Sequence, residues 1–344
     1  MPSTALEGIT TASGWKIGKM INKTSGTGGN FCTRYTASYK DEKIGFLKAM
    51  DLSRVMSSGN LEDINRISSE YLFEQRILEK CKDKKLTRVV TPLDSGEVTS
   101  PSGIGPYRTV YYIIFELAEC DLREQFLNDI NHDSWLSVFK SLHHVAVGIR
   151  QLHKIGVAHQ DIKPSNVLLF ESNNSKISDL GRVTDDKNES PFSDYSYTGD
   201  PAYAPIEMKF GVNINEFIDR RASDLYMFGS LIYHVIEGVQ ISPILINESN
   251  LLMPNFQISS YYEALPFMKS AFTTIINRFS DKCQNKFDEE IANELVSIVN
   301  ELCNPDYQFR GNKKHSSKIM RLSMEKYVGK MASVVRKIRI KGFR

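Results

Sequence analysis

The stretch VAHQDIKPSNVLLF, from Val157 to Phe170, constrains the fold more than any other part of the chain. It places an acid, a lysine and two amides between two aliphatic runs that look buried. His159, Asp161 and Asn166 fit the spacing H-x-D-x-x-x-x-N, and Lys163 follows the acid by two residues. A carboxylate can take a hydroxyl proton, a lysine can neutralise developing phosphate charge and an amide oxygen can hold a metal ion. The set suits phosphoryl transfer, and the aliphatic flanks would hold it rigid against a core.

The rest of the chain is patterned as a small strand-rich part followed by a larger helical part. Between Trp15 and about Arg54, short alternating runs rich in β-branched and aromatic residues predict an antiparallel meander. The spacing from Leu61 to Lys80 predicts a helix, and the segments TRVVTPLDSGEV and RTVYYIIFEL predict two more strands. The strand-rich part ends near Leu117, and a buried central helix is expected over Phe228 to Ile236.

These features resemble the eukaryotic-type serine/threonine protein kinases. The triplet that begins at Asp179 reads D-L-G and looks like the D-F-G of that family, and Asp179 and Asn166 are implied to hold Mg²⁺. Lys48 in GFLKAM matches the strand lysine of V-A-I-K, and Glu74 in YLFEQRIL is its natural partner from the first helix. Each residue alone could be a solvated surface charge, but together they occur in the family's order.

The resemblance covers roughly Trp15 to Arg310 and implies an α+β, two-lobed protein kinase fold. A small antiparallel β-rich N-lobe with one main helix would precede a larger α-helical C-lobe. We expect a single kinase domain over residues 1–344, with the N-lobe at about 13–117 and the C-lobe at about 118–344. A basic C-terminal helix is expected at about 313–340.

The glycine-rich loop is the weakest part of the match. Gly26 and Gly28 fit the first two glycines of G-x-G-x-x-G, whereas Phe31 stands at the third position. Two glycines alone more often form a hairpin turn than a phosphate cradle. Their place between two strands and before Lys48 favours the phosphate loop, in which Gly29 would supply the backbone freedom that Phe31 removes.

The resemblance implies ATP and Mg²⁺ as cofactors and a protein hydroxyl as acceptor. ATP would lie between the lobes, with its adenine against the linker from Glu116 to Ala118. Lys48, held by Glu74, would orient the phosphates. Asp161 would receive the hydroxyl proton while Lys163 stabilises the transferring phosphoryl group.

Two departures from the family pattern bear on regulation and substrate. Gln160 replaces the arginine of H-R-D, which meets a phosphate on the activation segment, here Asp179 to Glu207. We therefore predict that activity needs no phosphate in that segment. Asp200 stands where a threonine of G-T-P is expected; it could accept from Lys163 but would repel Asp161. The departures favour a divergent or bacterial member of the family.

Three more residues match structural positions of the family. Glu207, in the segment GDPAYAPIE, would pair with a buried arginine, for which Arg310 is the candidate. Asp224 in SDLYMFG matches the acid on the central helix that braces the catalytic loop.

We therefore expect a serine/threonine protein kinase that also phosphorylates itself. Lys163 favours serine or threonine over tyrosine as the acceptor. A small-molecule phosphotransferase remains an alternative, although Lys163 and the expected pairing of Glu207 with Arg310 suit a protein substrate. A nucleotide-binding scaffold without transfer activity is a second alternative, motivated by Phe31, Gln160 and Asp200.

Cysteine spacing, the length of the apolar runs and the N-terminal residues indicate in which cellular compartment the chain is expected. The five cysteines are scattered without a CxxC pair, which favours a reduced intracellular chain. The longest apolar run, Val110 to Phe115, is too short to span a bilayer, and the N-terminus lacks a leader pattern. We expect a cytoplasmic protein without a transmembrane segment.

The end of the chain is strongly basic. From Gly311 to Arg344 it carries 11 lysines and arginines against one acid, Glu325. Helical spacing of apolar residues there predicts an amphipathic helix whose basic face is solvated. The alternative is a docking surface for an acidic protein, nucleic acid or an anionic membrane.

Overall fold

The computed structural model describes residues 1–21, 32–40, 42–50, 60–127, 132–171, 174–195, 198–212, 216–254 and 259–341. The chain divides into two compact units, unit 1 (Met1–Glu119) and unit 2 (Cys120–Arg344). The predicted glycine-rich loop, with Gly26, Gly28, Gly29 and Phe31, lies outside the described residues.

Within its described residues, unit 1 has a five-stranded antiparallel sheet of order β1-β2-β3-β5-β4 and one α-helix. Its elements are β1 (Trp15–Met20), β2 (Cys32–Tyr39), β3 (Lys43–Met50), α1 (Leu61–Asp83), β4 (Pro92–Thr99) and β5 (Thr109–Glu116). The antiparallel meander is confirmed, and its register sets Lys48 opposite Arg34 on one side and Ile113 on the other. Helix α1 begins at the predicted residue, because the Asn60 side chain accepts a hydrogen bond from the backbone N–H of Glu62.

The first twelve residues also belong to unit 1, ahead of the N-lobe start expected near residue 13. Leu6 is fully buried beside Trp15 in the core of the sheet. The Tyr35 hydroxyl donates a hydrogen bond to the carbonyl oxygen of Ser3 at 2.6 Å. Sequence patterning did not indicate this packing, because a single buried leucine has no periodicity.

The described part of unit 2 is mostly helical. Its five short strands are β6 (Cys120–Asp121), β7 (Val157–Ala158), β8 (Val167–Phe170), β9 (Asn174–Ile177) and β10 (Thr184–Asp185). They form a three-stranded sheet of order β6-β8-β9 and a two-stranded sheet of β7 and β10. Its helices are α2 (Leu122–Leu127), α3 (His132–Lys154), α4 (Ile206–Lys209), α5 (Phe217–Glu237), α6 (Ile241–Leu252), α7 (Tyr261–Lys286), α8 (Glu289–Leu302), α9 (Lys318–Arg321) and α10 (Glu325–Lys341).

Helix α5 is the central element of unit 2. Every residue from Ala222 to Tyr233 is buried, as expected for a helix that is apolar on all faces. This confirms the predicted central helix at Phe228 to Ile236, although the helix begins earlier, at Phe217. Among the described residues no single helix is long and apolar enough to cross a membrane, and α5 and α6 pass that test only as a pair bent by 86°.

The basic C-terminal segment forms two helices, α9 and α10, instead of the single helix expected at about 313–340. The chain leaves helical geometry between them, and the Ser323 hydroxyl then accepts a hydrogen bond from the backbone N–H of Glu325 at 3.3 Å. This contact starts α10, which buries Tyr327 and Met331. The apolar residues keep helical spacing across the break, so the spacing alone could not reveal it.

Basic side chains of α10 pair with acidic side chains of α8. Lys326 Nζ lies 2.7 Å from Glu301 Oε2. Lys337 and Lys341 lie 3.4 and 3.2 Å from Glu290 Oε2. These lysines therefore have acidic partners within unit 2, whereas the sequence predicted a solvated basic face. A contact of this helix with an acidic protein, nucleic acid or membrane stays a prediction.

Candidate active site

In unit 1, Lys48 and Glu74 form a charged pair. Lys48 Nζ lies 2.8 Å from Glu74 Oε1 and 3.0 Å from Oε2. Glu74 is buried on α1, and Lys48 lies on β3. Charge-assisted contacts of this length hold a long lysine side chain in one position. The two residues that the motifs predicted are therefore brought together.

In unit 2, three polar residues of the loop at residues 159–166, here called the catalytic loop, form one connected group. Asn166 Nδ2 donates to the Asp161 side chain at 3.0 Å and to its carbonyl oxygen at 2.8 Å. Lys163 Nζ lies 3.0 Å from Asp161 Oδ2. All three side chains are buried, and β7 and β8 fix the two ends of the loop in the core. The arrangement leaves the Asp161 carboxylate oriented before any substrate binds.

Asp179 is attached to this loop through its neighbour. The backbone N–H of Ser178 donates to the carbonyl oxygen of Asn166 at 2.9 Å. The carbonyl oxygen of Ser178 lies 3.0 Å from His159 Nε2. Asp179 has a left-handed backbone with φ +61°, a conformation that is costly outside glycine and that recurs at functional sites.

Asp224, fully buried on α5, braces the catalytic loop as expected. Its carboxylate accepts hydrogen bonds from the backbone N–H groups of His159 and Gln160, both at 2.8 Å. The side-chain amide of Gln160 donates to the same carboxylate at 3.0 Å. These bonds hold Gln160 in a left-handed conformation with φ +64°, immediately before Asp161.

His153 is a further contact of Asp224 that the motifs did not indicate. Its Nε2 lies 2.8 Å from Asp224 Oδ2. Burial lowers the pKa of His153, and the Asp224 carboxylate opposes that shift. Because a carboxylate can only accept, Nε2 carries the proton of this bond. His153 lies near the end of α3, six residues before His159 and outside every motif, so no sequence signal marked it.

The activation segment meets the catalytic loop at Gly199 and Asp200. The backbone N–H of Asp200 donates to Asp161 Oδ1 at 2.8 Å. Asp200 Oδ2 lies 3.7 Å from Lys163 Nζ, so the lysine stands between two carboxylates. A Cβ on Gly199 would lie 2.2 Å from the carbonyl oxygen of Gln160, so a side chain there would push the two segments apart. The motif contained Gly199, but only the structure shows why it is glycine.

The buried pairing of Glu207 with Arg310 is present. Arg310 Nη1 and Nη2 lie 2.6 and 2.9 Å from the two carboxylate oxygens of Glu207. Both side chains are almost completely inaccessible. Burial acts to lower the pKa of Arg310, but the Glu207 carboxylate outweighs it and the net shift is upward. The pair anchors the end of the activation segment to the chain that follows α8.

Oxygen ligands of the kind that Mg²⁺ prefers are present in the side chains of Asn166 and Asp179. Because Asn166 Nδ2 donates to Asp161, the amide oxygen is the atom left for a cation. The described residues contain no group of three or more His, Cys, Asp or Glu arranged to hold a metal. An amide oxygen and a carboxylate fit Mg²⁺ that is bound together with substrate phosphates, because Mg²⁺ in such sites takes only one or two ligands of this kind from the protein.

The residues predicted to contact adenine lie at the end of unit 1. Glu116 is the last residue of β5 and is exposed, and Ala118 lies two residues later. Their contact with a nucleotide stays a prediction, as does that of the glycine-rich loop.

Comparison with known proteins assigns these motifs to one family. A family model described as protein kinase domain matches residues 22–320. The chain is similar to the serine/threonine-protein kinase PknB of Mycolicibacterium smegmatis, with 27% identity over 182 residues, which cover 51% of this chain and 27% of that protein. It is similar to the dual specificity protein kinase pyk3 of Dictyostelium discoideum, with 23% identity over 203 residues, 54% of this chain and 14% of that protein. The chain thus spans about a quarter or less of the length of these curated relatives.

A similar solved structure is the yeast RNA Pol II CTD kinase complex. The match has a TM-score of 0.45 and 21% identity, and it covers 64% of this chain and 66% of that chain.

Proposed function

Because the chain belongs to the protein kinase family, we propose that it transfers the γ-phosphoryl group of ATP to a serine or threonine hydroxyl of a protein. The observation that carries this proposal is the buried, mutually bonded set of Asp161, Lys163 and Asn166. These residue types at this spacing supply a proton acceptor, a fixed positive charge and a cation ligand in one loop.

Asp161 is the proposed proton acceptor. As the acceptor hydroxyl oxygen bonds to the γ-phosphorus, the bond to the ADP oxygen breaks and the hydroxyl proton passes to the Asp161 carboxylate. Donors from Asn166 and the Asp200 backbone orient that carboxylate in advance. Lys163 neutralises charge that develops on the transferring group.

Each part of the nucleotide is assigned to particular residues of the chain. Lys48, kept in place by Glu74, is proposed to bind the α- and β-phosphates. Asn166 and Asp179 would hold Mg²⁺, which when bound neutralises phosphate charge. The adenine is assigned to the linker from Glu116 to Ala118. The predicted glycine-rich loop, with Gly26, Gly28 and Gly29, is also proposed to contact the triphosphate.

We further propose that no phosphate is needed in the activation segment. Of the candidate hydroxyl-bearing residues Thr184, Ser190, Ser193 and Thr198, all but Ser193 are buried, and Ser193 is half-buried. Ser190 Oγ donates to the carbonyl oxygen of Val183 at 2.7 Å. Thr198 Oγ1 donates to the carbonyl oxygen of Arg182 at 3.3 Å. A kinase would have to open this packing to reach Thr184, Ser190 or Thr198, so we propose that these three hydroxyls are not sites of autophosphorylation.

The test of the proposed function is a phosphoryl-transfer assay with matched variants. The full chain is incubated with labelled Mg-ATP alone, with a generic acceptor protein and with a small-molecule panel. Asp161→Asn removes the proposed base, whereas Asp281→Asn changes an exposed acid on α7. We expect phosphoserine or phosphothreonine with the wild type and with Asp281→Asn, and none with Asp161→Asn.

Other outcomes would point to the alternatives. Label that appears only on a small molecule would make the chain a small-molecule phosphotransferase. Saturable ATP binding without transfer to any acceptor would make it a nucleotide-binding scaffold.

A further inference from the structure

Hydrogen bonds and a cation–ring contact order the described first part of the activation segment. Asp185 Oδ1 accepts a hydrogen bond from the backbone N–H of Ser190 at 3.0 Å. The Ser190 hydroxyl in turn accepts from the backbone N–H of Phe192 at 3.1 Å. The Arg182 guanidinium lies over the Phe192 ring, 5.4 Å from its centroid. These contacts order the first half of the segment.

Arg220 supplies the contact that fixes the next part of the segment to α5. Its Nη2 donates to the carbonyl oxygens of Ser193 at 3.0 Å and Tyr195 at 2.6 Å. The residue is only 2% exposed, although it carries a charge. A buried guanidinium that donates to two main-chain oxygens makes charge-assisted bonds, which are stronger than neutral ones.

The same residue is joined to the catalytic loop through its backbone. The Gln160 amide Nε2 donates to the Arg220 carbonyl oxygen at 2.8 Å. The Gln160 side chain and backbone also donate to Asp224, one turn further along α5. One rigid helix therefore contacts the activation segment with the Arg220 side chain and the residue before Asp161 with the Arg220 backbone.

We infer that Arg220 is a positioning residue for phosphoryl transfer, which keeps the unmodified activation segment in register with the catalytic loop. The inference rests on the proposed function and explains how activity could be independent of a phosphate. In the H-R-D pattern, an arginine at position 160 would meet a phosphate on the segment. Here Gln160 binds α5 instead, and the arginine that holds the segment comes from α5 and uses main-chain acceptors that are always present.

The neighbouring Arg221 provides a matched control. It lies on the same helix, and burial lowers the pKa of both guanidinium groups. Its Nη2 donates to the carbonyl oxygen of Leu322, ahead of α10, and not to the activation segment. A comparison of Arg220→Lys with Arg221→Lys therefore separates the effect of losing any arginine contact on α5 from the effect of losing the contact with the activation segment.

The experiment compares Arg220→Lys, Arg220→Gln and Arg221→Lys with the wild type, all as full chains treated with phosphatase and shown by mass spectrometry to carry no phosphate. Lysine keeps the charge but carries it on a compact ammonium in place of the guanidinium whose Nη2 reaches both carbonyl oxygens, whereas glutamine keeps an amide donor without charge. Folding is followed by circular dichroism, kcat and KM by phosphoryl transfer, and local opening by amide hydrogen exchange.

We expect kcat to fall on the order of tenfold for both Arg220 variants, with KM for ATP unchanged. Amide exchange should accelerate across residues 190–199 in these variants and stay unchanged there in Arg221→Lys. The inference is overturned if folded Arg220 variants keep wild-type kcat and exchange, or if Arg221→Lys produces the same local loss. A wild type that transfers no phosphoryl group would defeat the proposed function, while the exchange comparison would still decide whether Arg220 holds the segment.

Discussion

Lys48 and Glu74 form a two-point ion pair, in which the lysine nitrogen lies 2.8 and 3.0 Å from the two carboxylate oxygens. The pair joins the middle of β3 to α1 and fixes the charged end of a flexible side chain. A lysine without this partner would sample many rotamers and would hold a phosphate in a defined place less often.

Glu74→Gln is expected to lower kcat/KM for ATP on the order of tenfold, because the amide keeps the shape of the side chain and removes its charge. Glu70→Gln is the control: it breaks an exposed pair on the same helix, in which Arg66 Nη1 lies 3.0 Å from Glu70. Steady-state kinetics with ATP as the varied substrate measure kcat/KM for both variants. An equal effect of the two substitutions would mean that the Glu74 carboxylate has no special role.

Glu207→Gln should destabilise the chain by about 3–5 kcal/mol, because it leaves the Arg310 charge buried without its counter-ion. Urea unfolding measures the free energy. Lys341→Met removes an exposed contact with Glu290 and should leave the midpoint nearly unchanged. A small shift for Glu207→Gln would show that the backbone carbonyls beside Arg310 suffice to satisfy its charge.

Gly199→Ala is expected to reduce kcat on the order of 100-fold. The added methyl would meet the Gln160 carbonyl oxygen at 2.2 Å and Asp161 Oδ1 at 3.1 Å, so the catalytic loop or the activation segment must move. In Gly329→Ala the methyl would meet no atom within 4 Å, and α10 should gain helix propensity without a change in kcat. Wild-type kcat in Gly199→Ala would mean that this close approach is irrelevant to the reaction.

Leu6→Ala should cost about 2–5 kcal/mol of unfolding free energy, because Leu6 is fully buried in the sheet core of unit 1. Leu251→Ala, at a leucine that is 79% exposed, should change it by less than about 0.5 kcal/mol. Chemical denaturation compares the two. Equal, small effects would show that the first twelve residues do not contribute to the core.

His153 should make the folded state less stable in mild acid. Burial lowers its pKa in the folded chain below the ordinary 6.5, so below that pH the unfolded chain takes up a proton that the folded chain resists. The stabilisation is complete above about pH 6.5 and is lost as the pH falls toward and through the folded pKa. His153→Gln, which keeps an amide donor for Asp224, should flatten the decline in unfolding free energy below pH 6.5. An unchanged pH profile would exclude His153 as its source.

The sequence determined the fold class and predicted the candidate site residues. Period-two and period-3.6 patterns report which face of a strand or helix is buried, so they located the sheet, α1 and the central helix. The order of short motifs then predicted Lys48, Glu74, Asp161 and Asp179 as site residues, because the resemblance to protein kinases implies these residue types at definite places in the chain.

Only the tertiary structure decided the contacts between residues far apart in sequence. The packing of Leu6, the bond of His153 to Asp224, the tight approach at Gly199 and the double contact of Arg220 leave no periodic or motif signal. Each depends on a distance between two segments, which a local pattern does not encode. The break between α9 and α10 left no sequence signal for a related reason, since the apolar residues keep helical spacing across it.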